Sequence, residues 1–326
     1  MHHDLSVVAN AQPPFPDKGN NTRHQPSSSA PVDLEQAVRL LEDSGRYRVL
    51  RRLEARPVRP EEGGTILDGL RVGIILDTET TGLDHRTDEI VEIAMVRFTY
   101  DATGIHEVLG QIEALQQPSC PLSPEIRRLT GLTDAMLAGQ RIDPAAIASF
   151  AADADLVIAH NAGFDRPFVE KACPLFREKR WACSMSEVPW RFLGAEGSKL
   201  GYLLQAYGRF HAGHRALSDC QALLEILASP PPTGGRNAFM HLINASRLET
   251  IEIRAVGAPF SSKDILKNRG YRWSAGGADR PRTWWTVLPA VRVSEEIRFL
   301  KDTVYRNNNV DVPTVRLDAK TRFRGT

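Results

Sequence analysis

The chain has 326 residues, room for one large domain or two modest ones with cores of their own. Its 42% hydrophobic and 25% charged residues are ordinary for a globular protein, and no apolar run approaches the roughly 18 residues that a spanning helix needs, so no membrane partner is expected. The net charge of +1 conceals an asymmetry: residues 250–326 carry 15 Lys+Arg and 8 Asp+Glu, a balance of +7, which leaves −6 for residues 1–249.

Residues 1–31, rich in Pro, Asn and Ser, have no apolar period and read as a disordered tail. The start lacks a basic stretch followed by an apolar core, and Cys120, Cys173, Cys183 and Cys220 lack C-x-x-C spacing; reduced thiols in a cytoplasmic protein are expected. Residues 32–66 read as a short helical segment. Leu34, Ala37, Val38 and Leu41 fall at helical spacing behind Asp33 as N-cap, Ser44-Gly45 breaks the run, and Val49, Leu50 and Leu53 resume it as a second helix.

A main domain is expected over 67–229. RVGIILD (71–77) is a strand-length apolar run ending in TETTG, and the runs at 90–100 and 105–115, separated by DATG, complete an antiparallel meander. Short helices follow at 123–131 and from Pro144, then a buried strand at 155–160 that leads into the helix AGFDRPFVEKAC, and amphipathic helices at 198–208 and 216–227. Strands followed by strand–helix alternation imply an α/β fold, a mixed sheet with helices on its faces. PPPTGG (230–235) opens a linker-and-helix stretch over 230–248, and 249–326 reads as a smaller basic α+β module. In that module a strand at 250–257 precedes a helix at 261–270, with Ser261 capping and Gly270 at the exit. TWWTVLP and SEEIRFLKDTVYR follow as strand and helix.

Asp77 and Glu79 lie two residues apart at a strand end, so both carboxylates leave on one face. Like charges so close are costly unless a cation joins them or one is protonated, and their hard oxygens suit Mg²⁺ or Mn²⁺ better than zinc. An isolated D-x-E is equally a pair of solvated acids. Here, though, Thr80, Thr81 and Gly82 follow as a turn that allows close backbone approach, and two further groups come later. HNAGFD places Asp165 in the first turns of a helix at the C-terminal end of a strand. HRALSD places His214 five residues before Asp219, itself near a helix start.

Three segments, Asp77-Thr78-Glu79, N-x-x-F-D from Asn161 to Asp165 and H-x-x-x-x-D from His214 to Asp219, occur in this order. In these motifs the chain resembles the DEDDh exonucleases, which include the epsilon proofreading subunit of bacterial DNA polymerase III, ribonuclease T and oligoribonuclease. The resemblance covers residues 70–228 and implies a ribonuclease H-like fold. It implies metal-dependent 3′→5′ hydrolysis of phosphodiester bonds at single-stranded DNA 3′ ends, releasing 5′-mononucleotides. Asp77, Glu79, Asp165 and Asp219 would hold two Mg²⁺ or Mn²⁺ ions, and His214 would take a proton from the attacking water. Thr80, Thr81, Gly82, Leu83, Asn161 and Phe164 would grip the terminal nucleotide.

An RNA-trimming enzyme on the same fold shares these motifs, and a non-catalytic partner protein with a vestigial site is the reading of another class. A replication or repair protein is the partner class open to such a chain, but no clamp-binding segment of the Q-x-x-L-x-L-F kind occurs, so the catalytic match does not imply proofreading in a polymerase complex. In the C-terminal module Trp273, Trp284 and Trp285 lie among Lys263, Lys267, Arg269, Arg272, Arg280 and Arg282. This composition suits stacking on single-stranded bases and equally a small core with a solvated basic face.

Overall fold

The computed structural model describes residues 33–60, 68–276 and 281–324, so the tail expected over 1–31 lies outside the described residues. The chain falls into two units, residues 1–49 and 50–326. In the first, helix α1 (Leu34–Asp43) starts where the sequence places it: the Asp33 carboxylate accepts from the Glu35 and Gln36 amides.

The second helix expected in the 32–66 segment is replaced by an extended chain. Arg51–Arg52 forms a strand, β1, parallel to residues 209–210, and the Arg51 and Leu53 amides donate to the Gly208 and Phe210 carbonyls. An apolar run this short cannot nucleate a helix unaided. Extended, it satisfies its backbone on a neighbouring strand and packs Leu53 on the main core.

Strands β2 (Arg71–Thr80), β3 (Ile90–Tyr100) and β4 (Ile105–Leu115) form the antiparallel meander read from the sequence. Helices α2 (Pro124–Thr130), α3 (Asp134–Leu137) and α4 (Pro144–Ala151) lead to β5 (Leu156–Ala159), and α5 (Ala162–Ala172) leads to β6 (Arg180–Cys183). Next come α6 (Ser184–Glu187), α7 (Leu200–Ala206), β7 (Arg209–Phe210, the partner of β1), α8 (Ala216–Ala228) and α9 (Ala238–Arg247). The main sheet runs β4-β3-β2-β5-β6, with β5 parallel to β2 and β6 parallel to β5. This mixed sheet with a leading meander is the ribonuclease H-like arrangement.

Alternation along β2 and β3 feeds two cores. Ile75, Ala94, Val96 and Phe98 pack on one face against Leu203, Leu223, Leu227, Phe239 and Leu242. Ile74, Leu76, Ile93 and Met95 pack on the other against Ile147, Ala151, Phe168 and Val169. Each buried side chain of this size contributes about 1.5–3 kcal/mol, so the register of β2 is strongly fixed. Helix α9, beyond the turn at Pro231–Gly234, belongs to the first of these cores. Among the described residues no helix is long and apolar enough to cross a membrane.

A second sheet, antiparallel, runs in the order β11 (Thr314–Leu317), β8 (Thr250–Val256), β10 (Thr283–Pro289), β9 (Arg272–Ser274). Helix α10 (Lys263–Asn268) lies between β8 and β9 in the chain, and α11 (Val293–Phe299) between β10 and β11. Ile251, Ile253 and Ala255 meet Leu266, Tyr271, Leu300 and Val304 in a core of their own. Ser261 does not cap α10. A 3₁₀ turn over Phe260–Ser262 feeds the helix directly, its amide at Ser262 bonded to the Pro259 carbonyl, while Gly270 closes it at φ +90° as expected. The helix expected through Arg306 is α11 continued by a π-helical turn, Leu300–Tyr305, with Arg306 ending it in a left-handed backbone. Trp284 packs on the module core and meets Trp273, 54% exposed, at 5.5 Å; the Arg272 guanidinium lies 4.1 Å over Trp285.

The end of the chain returns to the main domain. The Trp181 amide donates to the Ala319 carbonyl at 2.7 Å, so the tail lies along β6. Arg166, fully buried, donates to the Lys320 carbonyl at 2.6 Å and to the Arg322 carbonyl and Glu170 carboxylate. Arg322 in turn reaches Glu187 and the Ser246 carbonyl.

Candidate active site

The site lies at the C-terminal end of β2, the strand that both cores lock in place. Because side chains alternate, Asp77 and Glu79 follow Ile75 towards α8, while Thr78 follows Leu76 towards α5. Asp219, in the first turn of α8, completes the first group: carboxylate oxygens of Asp77, Glu79 and Asp219 lie within 4.8 Å of one another. Thr78 completes the second, donating from its amide at 3.1 Å and its hydroxyl at 2.9 Å to Asp165 Oδ1. Asp165, 3% exposed in α5, is therefore held by the residue between the two metal-candidate acids and stands outside their triad.

The electrostatics follow from burial and like charge. Burial, then the carboxylates of Asp165, Asp219 and Glu79, push Asp77 well above the usual carboxylate range. Burial and Asp219 push Glu79 up to about 8. Burial pushes Asp165 up to about 7 against the lowering effect of its Thr78 bonds. Glu92, opposite Glu79 on β3, shows the alternative. It is fully buried, yet Arg215 bonds it through Nε at 3.1 Å and Nη2 at 2.9 Å, and the Ala216 amide adds a third bond at 3.2 Å. Among the described residues no Lys or Arg forms such a pair with Asp77, Glu79 or Asp219. Three half-buried carboxylates with hard oxygen donors and no side-chain cation between them fit a divalent cation.

The turn after β2 borders these acids. The Thr80 hydroxyl donates to the Gly82 carbonyl at 2.6 Å, and the Thr81 hydroxyl to Asp88 at 3.2 Å. A Cβ at Gly82 would sit 2.5 Å from Asp88 Oδ2, so the turn closes this tightly only around glycine. Leu83 at its tip is 86% exposed. Asn161 is exposed ahead of α5, its carbonyl bonded by the Phe164 amide, and Phe164 stacks on Phe168 at 5.1 Å. His160, just before them, is buried between Ser184 Oγ (2.8 Å) and the Ser198 carbonyl (2.6 Å), and burial holds its pKa down.

His214 is exposed in the loop before α8 with a left-handed backbone, φ +63°, and its amide donates to Asp219 Oδ2 at 2.8 Å. The imidazole that bonds Asp219 is another one. His211 Nε2 lies 2.6 Å from Asp219 Oδ1, with only 7% of its side chain exposed. Motif spacing singles out His214 and is silent on His211, which sits three residues earlier; only the fold around α7 and β7 reveals the contact.

Residues 74–227 match the family model described as an exonuclease. Among curated proteins the chain is 29% identical over 162 residues to the DNA polymerase III subunit epsilon of Treponema pallidum, covering 47% of this chain and 73% of that one. It is 29% identical over 209 residues to the PolC-type DNA polymerase III of Thermotoga maritima, covering 60% of this chain but only 14% of that one. A solved structure, exonuclease X in complex with 5′-overhanging duplex DNA, aligns at 26% identity over 53% of this chain and 99% of that one, with a TM-score of 0.38. The strand order, not that superposition, carries the fold assignment.

Proposed function

We propose that this chain, whose residues 74–227 match the exonuclease family model, is a 3′–5′ exonuclease that shortens single-stranded DNA from the 3′ end, releasing 5′-mononucleotides with the help of two divalent ions. The observation that carries the reading is the cluster of Asp77, Glu79 and Asp219 within 4.8 Å, without a side-chain cation, in a domain of that family.

Asp77, Glu79 and Asp219 would hold one Mg²⁺ or Mn²⁺, and Asp165, on the flank of Asp77, would help to hold a second. Bound there, the ions supply the positive charge that a phosphodiester anion needs and lower the pKa of a reacting water. The protein's own groups do the rest. His214, exposed at the mouth of the cluster loop, accepts the proton of the attacking water in its neutral form. Its amide meanwhile holds Asp219 through Oδ2. The Thr80–Leu83 turn seats the terminal nucleotide beside the acids, with Leu83 offering an exposed apolar surface and Phe164 a wall braced by Phe168. Glu92, neutralised by Arg215, keeps β3 and α8 in register without competing for cation.

The preference for DNA rests on the relatives, one named as the epsilon subunit of DNA polymerase III and one as a PolC-type DNA polymerase III; a replication or repair assembly is the corresponding protein partner. Matched 5′-labelled single-stranded DNA, duplex DNA and RNA, digested side by side in Mg²⁺, test the substrate. Single-stranded DNA is expected to shorten fastest, one nucleotide at a time. Faster shortening of RNA would replace DNA by RNA in this reading, and products cut internally would overturn it.

A further inference from the structure

The loop between β7 and α8 holds Asp219 by both oxygens. Oδ2 accepts from the His214 amide at 2.8 Å, and Oδ1 meets the His211 ring at 2.6 Å. An ionised carboxylate only accepts, so Nε2 of His211 carries the hydrogen in this pair. Each oxygen keeps a lone pair for another partner.

His211 is built to be rigid. It follows directly on β7, whose two residues are paired to β1, so the ring springs from a strand end. Only 7% of its side chain is exposed. Asp219 is equally fixed, its amide bonded to the Arg215 carbonyl in the first turn of α8. The ring and the carboxylate are thus both carried on anchored backbone where they meet. Without that bond, repulsion from Asp77 and Glu79 favours rotation of Asp219 away from them.

We propose that His211 is a positioning residue, holding Asp219 in the orientation in which it joins Asp77 and Glu79 around a divalent cation. The inference rests on reading that cluster as the cation site. It assigns the two histidines of the loop separate tasks: His211 sets how tightly the cation is held, and His214 takes part in the proton transfer.

The test is Mn²⁺ binding by titration calorimetry on the full chain, with the Mg²⁺ dependence of turnover beside it. Loss of an outer hydrogen bond to a metal ligand weakens binding about 10- to 100-fold. His211→Phe, which keeps the ring volume and loses the donor, is expected to weaken Mn²⁺ by that factor and to raise the half-saturating Mg²⁺ in step. Its kcat at saturating Mg²⁺ should stay close to that of the unaltered protein. His211→Gln, whose amide nitrogen can reach the place of Nε2, should recover most of the affinity. His214→Ala should lose kcat and bind Mn²⁺ normally. Thermal melts in EDTA report folding, and His211→Leu serves if His211→Phe fails to fold. A folded His211→Phe or His211→Leu with unaltered Mn²⁺ affinity would overturn the proposal, as would a Gln variant as weak as the Phe one. Absence of Mn²⁺ binding by the unaltered protein would overturn the cation reading itself, and this one with it.

Discussion

Two charged regions of the 50–326 unit are built on opposite terms. Where the tail meets the main domain, Arg166 and Arg322 are buried, and each guanidinium is matched by a carboxylate, Glu170 or Glu187, and by backbone carbonyls. At the end of β2, Asp77, Glu79 and Asp219 are crowded together, and among the described residues no Lys or Arg pairs with them. The first region is matched charge for charge as folded, with the Arg322 Nε its one donor left without a hydrogen-bond partner. The second gains a cation only from outside, which is what a binding site requires and a structural site avoids.

Breaking one member of each region should separate activity from stability. Asp77→Asn removes one of the crowded carboxyl groups. Turnover should fall about 10³-fold or more, since a bound ion contributes several kcal/mol to the transition state. Its melting temperature in EDTA should hold or rise, because a repulsive neighbour is gone. Steady-state hydrolysis and a thermal melt check both halves. Arg322→Ala should do the reverse, costing about 3–5 kcal/mol in urea unfolding by stranding Glu187. Its turnover per folded molecule should be nearly unchanged. A cut after Leu248 removes the carbonyls that hold Arg166 and should destabilise the main domain in the same way, although it spares every candidate site residue.

A smaller effect is expected from His214→Ala, about 10²-fold in kcat, the usual span for a positioned proton acceptor. Unchanged kinetics at neutral pH would remove His214 from the mechanism.

The smallest is a pH effect with a definite sign. Glu79 is pushed up to about 8, and Asp77 also lies well above its ordinary value. Between the ordinary carboxylate pKa and these raised ones the folded state binds more protons than the unfolded one, so stability is lost as pH rises through the window. In EDTA the melting temperature should therefore decline from pH 5 to pH 8. Mg²⁺ should raise it more at pH 8, where the acids are ready to ionise, than at pH 5. An equal or larger gain at pH 5 would contradict the sign.

Much of this contrast is local in the sequence, and some of it is not. The D-T-E triplet at the end of an apolar run fixes which acids share a face, because strand alternation depends on neighbours alone. Asp165 and Asp219 are legible as first-turn helix residues for the same reason. Pairings over long separations leave no such mark. Nothing near Val49–Leu53 announces a strand that waits for residues 209–210. Nothing near Arg322 announces its carboxylate 135 residues earlier. Nothing near His211 announces that its ring meets a carboxylate eight residues later, beyond a loop and a helix start.

The central claim is that the unbalanced acids at the end of β2 are a cation site at which nucleotides leave from a 3′ end. A 5′-labelled single-stranded oligonucleotide, incubated with the purified chain in Mg²⁺ and in EDTA, tests it most directly. The account predicts a ladder shortening from the 3′ end in Mg²⁺ and an intact strand in EDTA. Shortening that persists in EDTA, or release of the 5′ label as the first product, would contradict it.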